Sequence, residues 1–170
     1  EFRRVLFRSS NLGLIEWTRD YLEALGIGSR LSYDKARGKA NLLATLGPAG
    51  QGPVEGGLVL CGHTDVVPVD GQDWHTDPFK AVCKDGRLYG RGSADMKGYI
   101  ACVLASVPAF LEAPLRRPVH LAFTFDEEVG FLGVPFLVED MARAGIRPAG
   151  CIIRSEEHTS ELQSPMYLVC

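Results

Sequence analysis

"GLVLCGHTD", residues 57–65, joins an apolar run directly to polar side chains. A short continuous apolar run next to glycine is typical of a strand that is buried on both faces. In open α/β sheets, functional sites form beyond the carboxyl ends of the strands. The stretch therefore predicts a buried strand, with His63 and Asp65 in a site at its end.

Similar apolar segments occur along the rest of the chain. "PVHLAFTFD", residues 118–126, predicts a second buried strand, and "AGCII", residues 149–153, begins a third. Helical spacing of apolar residues and turn residues predict the remaining elements. These are helices within 10–27, 95–113 and 133–145, short strands at 29–34 and 40–47, and a hairpin over 79–92. Strands that alternate with helices predict an α/β fold, layered around a central mixed sheet with parallel strands at its centre.

Composition excludes several function classes. The 170 residues carry a net charge of −3 without a basic block, which argues against nucleic acid as a partner. No apolar run approaches the roughly 18 residues of a membrane span, so we expect no membrane association. The five cysteines form neither a C-x-x-C pair nor a disulfide framework. Cys61 and Cys151 are expected to be reduced core thiols, which fits a cytoplasmic protein.

Four more carboxylates are predicted to reach the same sheet edge as His63. Asp95 precedes a helix in "GRGSADMKG", and Asp126, Glu127 and Glu128 follow the strand within 118–126. One imidazole and several carboxylates suit zinc or a similar divalent ion. The combination favours a metal site because the acids follow apolar runs, where a solvated surface is a poor explanation.

Spacing within the motifs suggests separate roles. His63 and Asp65 are two residues apart, so in an extended chain both point the same way, and Asp65 can hold the second imidazole nitrogen. Adjacent Glu127 and Glu128 should point apart, so that one can bind metal while its neighbour accepts a proton.

Each motif alone has a simpler interpretation. An isolated H-x-D occurs often by chance, and an isolated D-E-E is usually a solvated turn. "GRGSAD" lacks the dinucleotide-binding glycine pattern. His75 is expected in a loop and His120 in a strand, and neither is assigned a ligand role. A metal-free α/β binding module remains an alternative.

Three motifs resemble one enzyme family. They are "GHTDVVPVDGQDWHTDPF" at 62–79, "GRGSADMKG" at 90–98 and "DEEVGFLG" at 126–133. In this order they closely resemble the dinuclear-zinc amidohydrolases and peptidases, and the resemblance extends over residues 10–153. It implies a layered, zinc-peptidase-like catalytic domain.

The resemblance also implies a role for each matching residue. His63, Asp95 and Glu128 would be ligands of two zinc ions, for which cobalt is a possible replacement. Asp95 would bridge the two ions and precede a cis peptide bond. Asp65 would orient His63, and Glu127 would be the general base.

The implied activity is hydrolysis of the N-acyl bond of a small-molecule N-acyl amino acid. N-acetylornithine is the first expected substrate, which would yield ornithine and acetate in arginine biosynthesis. The alternatives are N-succinyl-diaminopimelate desuccinylation and metallo-carboxypeptidase activity. The resemblance further implies a homodimer, formed through a domain beyond this sequence.

The two ends of the chain resemble translated sequencing adaptor. "EFRRVLFRS" at 1–9 and the residues 154–170, which begin "RSEEHTSELQS", are therefore expected to be artefactual. In the family, the strand matching "GCII" continues into "GEP", whose glutamate binds zinc, and this role is not carried over to Glu156 or Glu157. Residues 10–153 would then be the N-terminal part of a catalytic domain, and the 170-residue chain a non-catalytic fragment.

Overall fold

A computed structural model describes residues 10–36, 38–47 and 55–154, and the backbone of 168–169. The strands are β1 Ser29–Tyr33, β2 Ala40–Leu46, β3 Leu58–His63, β4 Val82–Lys84, β5 Arg87–Tyr89, β6 Val119–Thr124, β7 Gly150–Ile153 and β8 Leu168–Val169. The helices are α1 Leu12–Ala24, α2 Gly98–Glu112 and α3 Val134–Arg143, and an irregular helical turn, Ser93–Lys97, precedes α2.

Five strands form the main sheet in the order β1-β2-β6-β3-β7. β3 is parallel to both β6 and β7, whereas β2 is antiparallel to β6 and β1. The predicted α/β fold with a mixed sheet is therefore confirmed. The parallel strands occupy one half of the sheet, with β6 as the central strand, so the ends of β3 and β6 lie side by side.

Helices cover both faces of the main sheet. On one face, α1 and α2 bury a core that includes Ile15, Val107 and Phe123. On the other face, Leu137 of α3 packs with Val59 and other strand residues. Because side chains alternate along a strand, β2 and β6 contribute to both cores. Each fully buried aliphatic or phenyl side chain contributes about 1.5–3 kcal/mol.

Asn11 joins the start of α1 to the sheet. Its side-chain amide donates hydrogen bonds to the Ala40 carbonyl and to Thr64 Oγ1, both at 2.8 Å, and its carbonyl oxygen accepts one from Ala40 N at 2.9 Å. The Thr64 hydroxyl in turn donates to the Thr124 carbonyl at 2.8 Å. The helix is thereby fixed to β2 and to the ends of β3 and β6, next to the predicted site.

Two burial predictions were wrong. Leu58 of β3 is 43% exposed and Cys61 is only half-buried, so β3 is not buried along its whole length. Cys151 is exposed rather than a core thiol, and so are Ile152 and Ile153. The reason is that β7 is the edge strand of the sheet in the described residues. An apolar run indicates a strand but not what covers it.

The predicted hairpin is confirmed, since β4 and β5 are paired antiparallel strands that are connected by Asp85 and Gly86. Both residues have a positive φ, as an Asp-Gly hairpin turn requires. β8 pairs with β5 and belongs to the segment 154–170. Otherwise the segments predicted to be artefactual lie outside the described residues, except for Arg154, and their origin stays a prediction.

One segment, Ser93–Glu112, is long and apolar enough to cross a membrane by length and composition. The prediction that no such run exists was therefore wrong. Small residues among the larger apolar ones obscure the run in the sequence. The segment is weak evidence for a membrane span because Ile100, Val103 and Leu104 are buried in the core, as in an ordinary core helix.

Candidate metal centre

His63 lies at the end of β3, and its side chain is only 4% exposed. Its Nδ1 is 3.1 Å from the Asp65 backbone oxygen and 3.6 Å from the Asp65 carboxylate. On the other side of the ring, Nε2 is 3.2 Å from Asp95 Oδ1. The imidazole is therefore held on its Nδ1 side, and its Nε2 is directed at a carboxylate.

The potential ligand atoms of His63, Asp95 and Glu128 all lie within 4.8 Å of one another. It is the one group of this kind in the described part of the chain. His63 is buried, and the two carboxylates are half-buried. A nitrogen ligand and two carboxylates at such separations fit a zinc ion. His75 and His120, which were not expected to be ligands, are not members of the group.

Asp95 belongs to the irregular turn Ser93–Lys97 and has non-helical backbone angles there. The peptide bond between Asp95 and Met96 is cis, as the family resemblance implies. Gly92 begins this turn with a φ of 79°, and a Cβ at its position would lie 2.5 Å from Val66 Cγ1. Glycine is therefore required where the chain turns to bring Asp95 to His63.

Asp65 has a second set of contacts that the sequence did not predict. Its carboxylate accepts hydrogen bonds from the backbone amides of Glu127 at 3.1 Å and Glu128 at 3.0 Å. One carboxylate therefore lies beside the imidazole of His63 and also fixes the backbone of the acidic turn, residues 125–133. These partners are more than 60 residues apart in sequence, so no local pattern could indicate the contact.

Glu127 and Glu128 do not point to opposite sides, as an extended chain would require. Glu127 Oε2 is 3.9 Å from His63 Nε2, and Glu128 belongs to the metal-ligand group with the same imidazole. The two residues follow Asp126, whose φ of 55° places it in the left-handed region. The chain therefore turns here, and both carboxylates approach His63.

Asn41 of β2 holds the two ends of the acidic turn together. Its side chain is 1% exposed, accepts a hydrogen bond from Phe125 N at 3.2 Å and donates one to the Gly133 carbonyl at 2.7 Å. A Cβ on Gly133 would lie 2.5 Å from the Phe125 carbonyl oxygen. The turn is thus closed by a buried amide and by a glycine that permits close backbone approach.

The sequence analysis missed Lys39 as well as Asn41. Lys39 forms an ion pair with Asp126, on the other side of the turn. The only signal available was weak: two polar residues flank Ala40 at the start of an apolar strand, and alternate residues of a strand share a face.

The charges of the site shift two pKa values strongly. Burial alone would lower the pKa of His63, but hydrogen bonding to the carboxylates of Asp65 and Asp95 raises it to about 10. Burial raises the pKa of Glu128 to about 7, opposed by His63 and reinforced by Asp95 and Glu127. The neighbouring carboxylates of Asp95 and Glu127 thus disfavour the ionised form of Glu128, and a bound cation would favour it.

These shifts predict how the metal-free chain responds to pH. The folded chain holds the His63 proton up to about pH 10, whereas an unfolded histidine loses it near pH 6.5. The resulting stabilisation is complete below pH 6.5 and is lost as the pH rises through 10. Between pH 7 and 9 the loss should be about 2 kcal/mol.

Urea unfolding in the presence of a chelator measures this loss, with His63→Gln as the reference. The free energy of unfolding is plotted against pH for both chains, and the difference between the two slopes gives the contribution of the His63 imidazole. Equal slopes for both proteins would contradict the prediction.

A cleft of about 770 Å³ opens beside the acidic turn. Its lining includes Lys39, Asp65 and Asp126 and much of the segment 66–79. His63, Asp95 and Glu128 do not line it. The cleft therefore borders the residues that hold the turn, while the metal-ligand group lies outside it.

Curated proteins include relatives that are similar to this chain in sequence. Two acetylornithine deacetylases, from Proteus mirabilis (strain HI4320) and Pasteurella multocida (strain Pm70), are each 41% identical to the chain. The first match covers 145 residues, 85% of this chain and 35% of the relative, and the second covers 148 residues, 86% and 37%. The chain thus spans about a third of the length of the curated relatives it matches.

Solved structures share the fold. Human carnosine dipeptidase 1 has a TM-score of 0.68 and 29% identity, over 85% of this chain and 32% of its own. An M20 family metallo-carboxypeptidase from Sulfolobus solfataricus has a TM-score of 0.67 and 25% identity, over 81% of this chain and 31% of its own.

The sequence profile of peptidase family M20/M25/M40 matches residues 59–164. This range contains His63, Asp65, Asp95, Glu127 and Glu128, together with the strands that position them. The match covers more than half of the chain and agrees with both the fold and the site. The chain belongs to peptidase family M20/M25/M40.

Proposed function

We propose that this chain carries part of the active site of a zinc-dependent hydrolase that removes an acyl group from the nitrogen of an amino acid. The observation that supports it best is the group of His63, Asp95 and Glu128, with the Glu127 carboxylate beside it. A metal-ligand group with an adjacent carboxylate is the arrangement that metal-assisted amide hydrolysis requires.

Zinc would be held by His63, Asp95 and Glu128, and we propose two ions, as the family resemblance implies. When bound, zinc polarises an acyl carbonyl and makes a water molecule more acidic. The ligand set fits the ion because a buried imidazole and two half-buried carboxylates bring their ligand atoms within 4.8 Å of one another.

The protein's own groups would carry the proton. We assign Glu127 as the general base, which takes a proton from the attacking water and delivers it to the leaving amine. Asp65 keeps the imidazole of His63 in place and holds the Glu127 and Glu128 amides. It therefore fixes the base and two ligands in one arrangement.

N-acetylornithine is the proposed substrate, with ornithine and acetate as products in arginine biosynthesis. The support is 41% identity to acetylornithine deacetylases along most of the chain. N-succinyl-diaminopimelate and carboxypeptidase substrates are the alternatives within the family. We also propose a homodimer, which the same resemblance implies, and a cytoplasmic location, which cysteines without a disulfide framework favour.

The test is an assay of a protein with the full length of the curated relatives that includes residues 10–153. N-acetylornithine, N-succinyl-diaminopimelate and a dipeptide are offered with zinc and with a chelator. Zinc-dependent release of acetate, with N-acetylornithine preferred, is the expected result. No metal-dependent turnover of any N-acyl amino acid would refute the proposal.

A second proposal concerns the 170-residue chain alone. Two zinc ions need about four ligands each, and the described part of the chain brings three ligand residues together. We therefore propose that this polypeptide binds zinc weakly and does not turn over substrate. Calorimetric zinc titration tests this proposal, and tight binding of two ions together with hydrolysis would contradict it.

A further inference from the structure

We propose that Lys39 is a positioning residue for the acidic turn, which we define as residues 125–133. Through its ion pair with Asp126, Lys39 would set where Glu127 and Glu128 lie. The meaning of this role for catalysis rests on the proposed function, whereas the positioning itself does not.

The ion pair joins Lys39 Nζ to Asp126 Oδ1. The side chains are only 18% and 13% exposed, so the two charges are largely shielded from water. A carboxylate in this environment needs a nearby cation, because an isolated charge is costly to bury. In the described residues, Lys39 is the cation that the structure places against Asp126.

Lys39 is itself held in place by the backbone. Its amide donates a hydrogen bond to Asp34 Oδ1 at 2.9 Å, and its carbonyl accepts one from Asp34 N at 3.0 Å. It precedes β2 directly, so its position is tied to the main sheet. The ammonium group therefore extends from a rigid support rather than from a free loop.

The ion pair between Lys39 and Asp126 keeps the Asp126 carboxylate apart from those of Glu127 and Glu128. Asp126 is directed to Lys39, while Glu127 and Glu128 approach His63. Three consecutive carboxylates would repel one another if all of them faced the imidazole. With Asp126 held on the Lys39 side, the turn presents only the pair that the proposed chemistry uses.

The backbone of Asp126 depends on the same contact. Its φ of 55° is tolerated by aspartate but is not the usual conformation, so it must be held by its surroundings. Lys39 holds the side chain, and the Leu132 amide holds the carbonyl oxygen at 3.1 Å. Losing Lys39 should let Asp126 relax and should move the amides of Glu127 and Glu128 away from Asp65.

The experiment compares Lys39→Met, Lys39→Arg and the control Lys35→Met, which changes an exposed lysine of the same connection. Amide hydrogen exchange of Glu127 and Glu128 is measured by NMR on the 170-residue chain, and zinc affinity by titration with zinc alone. Lys39→Met should speed exchange of both amides and weaken zinc binding, each by at least about 10-fold. Lys39→Arg should restore both to within about three-fold, and the control should match the unchanged chain.

Unchanged exchange and zinc affinity in Lys39→Met would overturn the proposal. If Lys39→Met does not fold, Asp126→Asn provides the second test, because it also removes the ion pair. Asp126→Asn should then speed exchange of the Glu127 and Glu128 amides, and unchanged exchange in this variant would also overturn the proposal. The exchange readout needs no substrate, so positioning can be confirmed even where the proposed hydrolysis fails.

Discussion

Replacing Asp95 by alanine is expected to weaken zinc binding by the chain about 100-fold or more. Zinc sites with four protein ligands bind with about 10–16 kcal/mol, so each ligand contributes roughly 2.5–4 kcal/mol. Asp95 is one of three proposed ligand residues within 4.8 Å of one another, and its carboxylate also faces His63 Nε2 at 3.2 Å. Its loss leaves one imidazole and one carboxylate, too few to hold the ion.

The measurement is zinc titration by calorimetry at constant pH, supported by competition with a chelating dye. Asp73→Ala is the matched control, because it removes the same charge from an exposed residue in the loop after β3. The control should keep its affinity within about two-fold, since exposed charges act weakly at a distance. If Asp95→Ala and Asp73→Ala bind zinc equally well, the metal centre has been placed wrongly.

Replacing Asn41 by alanine is expected to lower the free energy of unfolding by about 2–4 kcal/mol. The change leaves the Phe125 amide unpaired inside the protein, which costs about 1–3 kcal/mol, and the Gly133 carbonyl keeps only the hydrogen bond from the Leu137 amide, so one bond worth about 0.5–1.5 kcal/mol is lost there. A single domain has only about 5–15 kcal/mol of stability, so the variant should lose a large part of it. The lost hydrogen bonds hold the connection that carries Glu127 and Glu128, so we expect the zinc affinity to fall as well.

Urea unfolding followed by circular dichroism measures the change. Asn41→Asp keeps the acceptor for Phe125 N but loses the donor for the Gly133 carbonyl, so it should also destabilise the chain. Glu139→Ala on the exposed side of α3 is the control and should stay within about 0.5 kcal/mol, because its ion pair with Arg143 lies on the surface. A loss below 0.5 kcal/mol in Asn41→Ala would show that the buried amide does not hold the turn.

The metal-ligand candidates could be predicted because each follows a local pattern. His63 stands at the end of an apolar run, and Glu128 follows another. Asp95 lies just before a helix, and the order of the motifs completes the resemblance. The residues that position them could not be found in this way. The contacts of Asn41 and Asp65 with the acidic turn join residues 62 to 92 apart in sequence.

At β3 and β7, the sequence predicted the strands, but only the tertiary structure decided which of their residues are buried. The apolar run 57–61 predicted a strand, and β3 is that strand. Its neighbour β7 lies at the sheet edge, and Cys151 and Ile153 are exposed, although their sequence is as apolar as that of a core strand. Hydrophobic pattern reports what a side chain would favour, whereas exposure depends on which elements pack against it.

By itself the sequence determined the type and order of the elements, the mixed α/β architecture and the placing of His63 and five carboxylates at one sheet edge. These follow from periodicity, from turn residues and from the ends of strands, all of which are local, whereas the choice of His63, Asp95 and Glu128 as ligands is what the family resemblance implies. The tertiary structure alone decided that Asp65 clamps the acidic turn, that Lys39 pairs with Asp126 and that Asn41 closes the turn. These contacts depend on the pairing of β2 with β6 and of β6 with β3, and that pairing brings distant segments together only when the sheet forms.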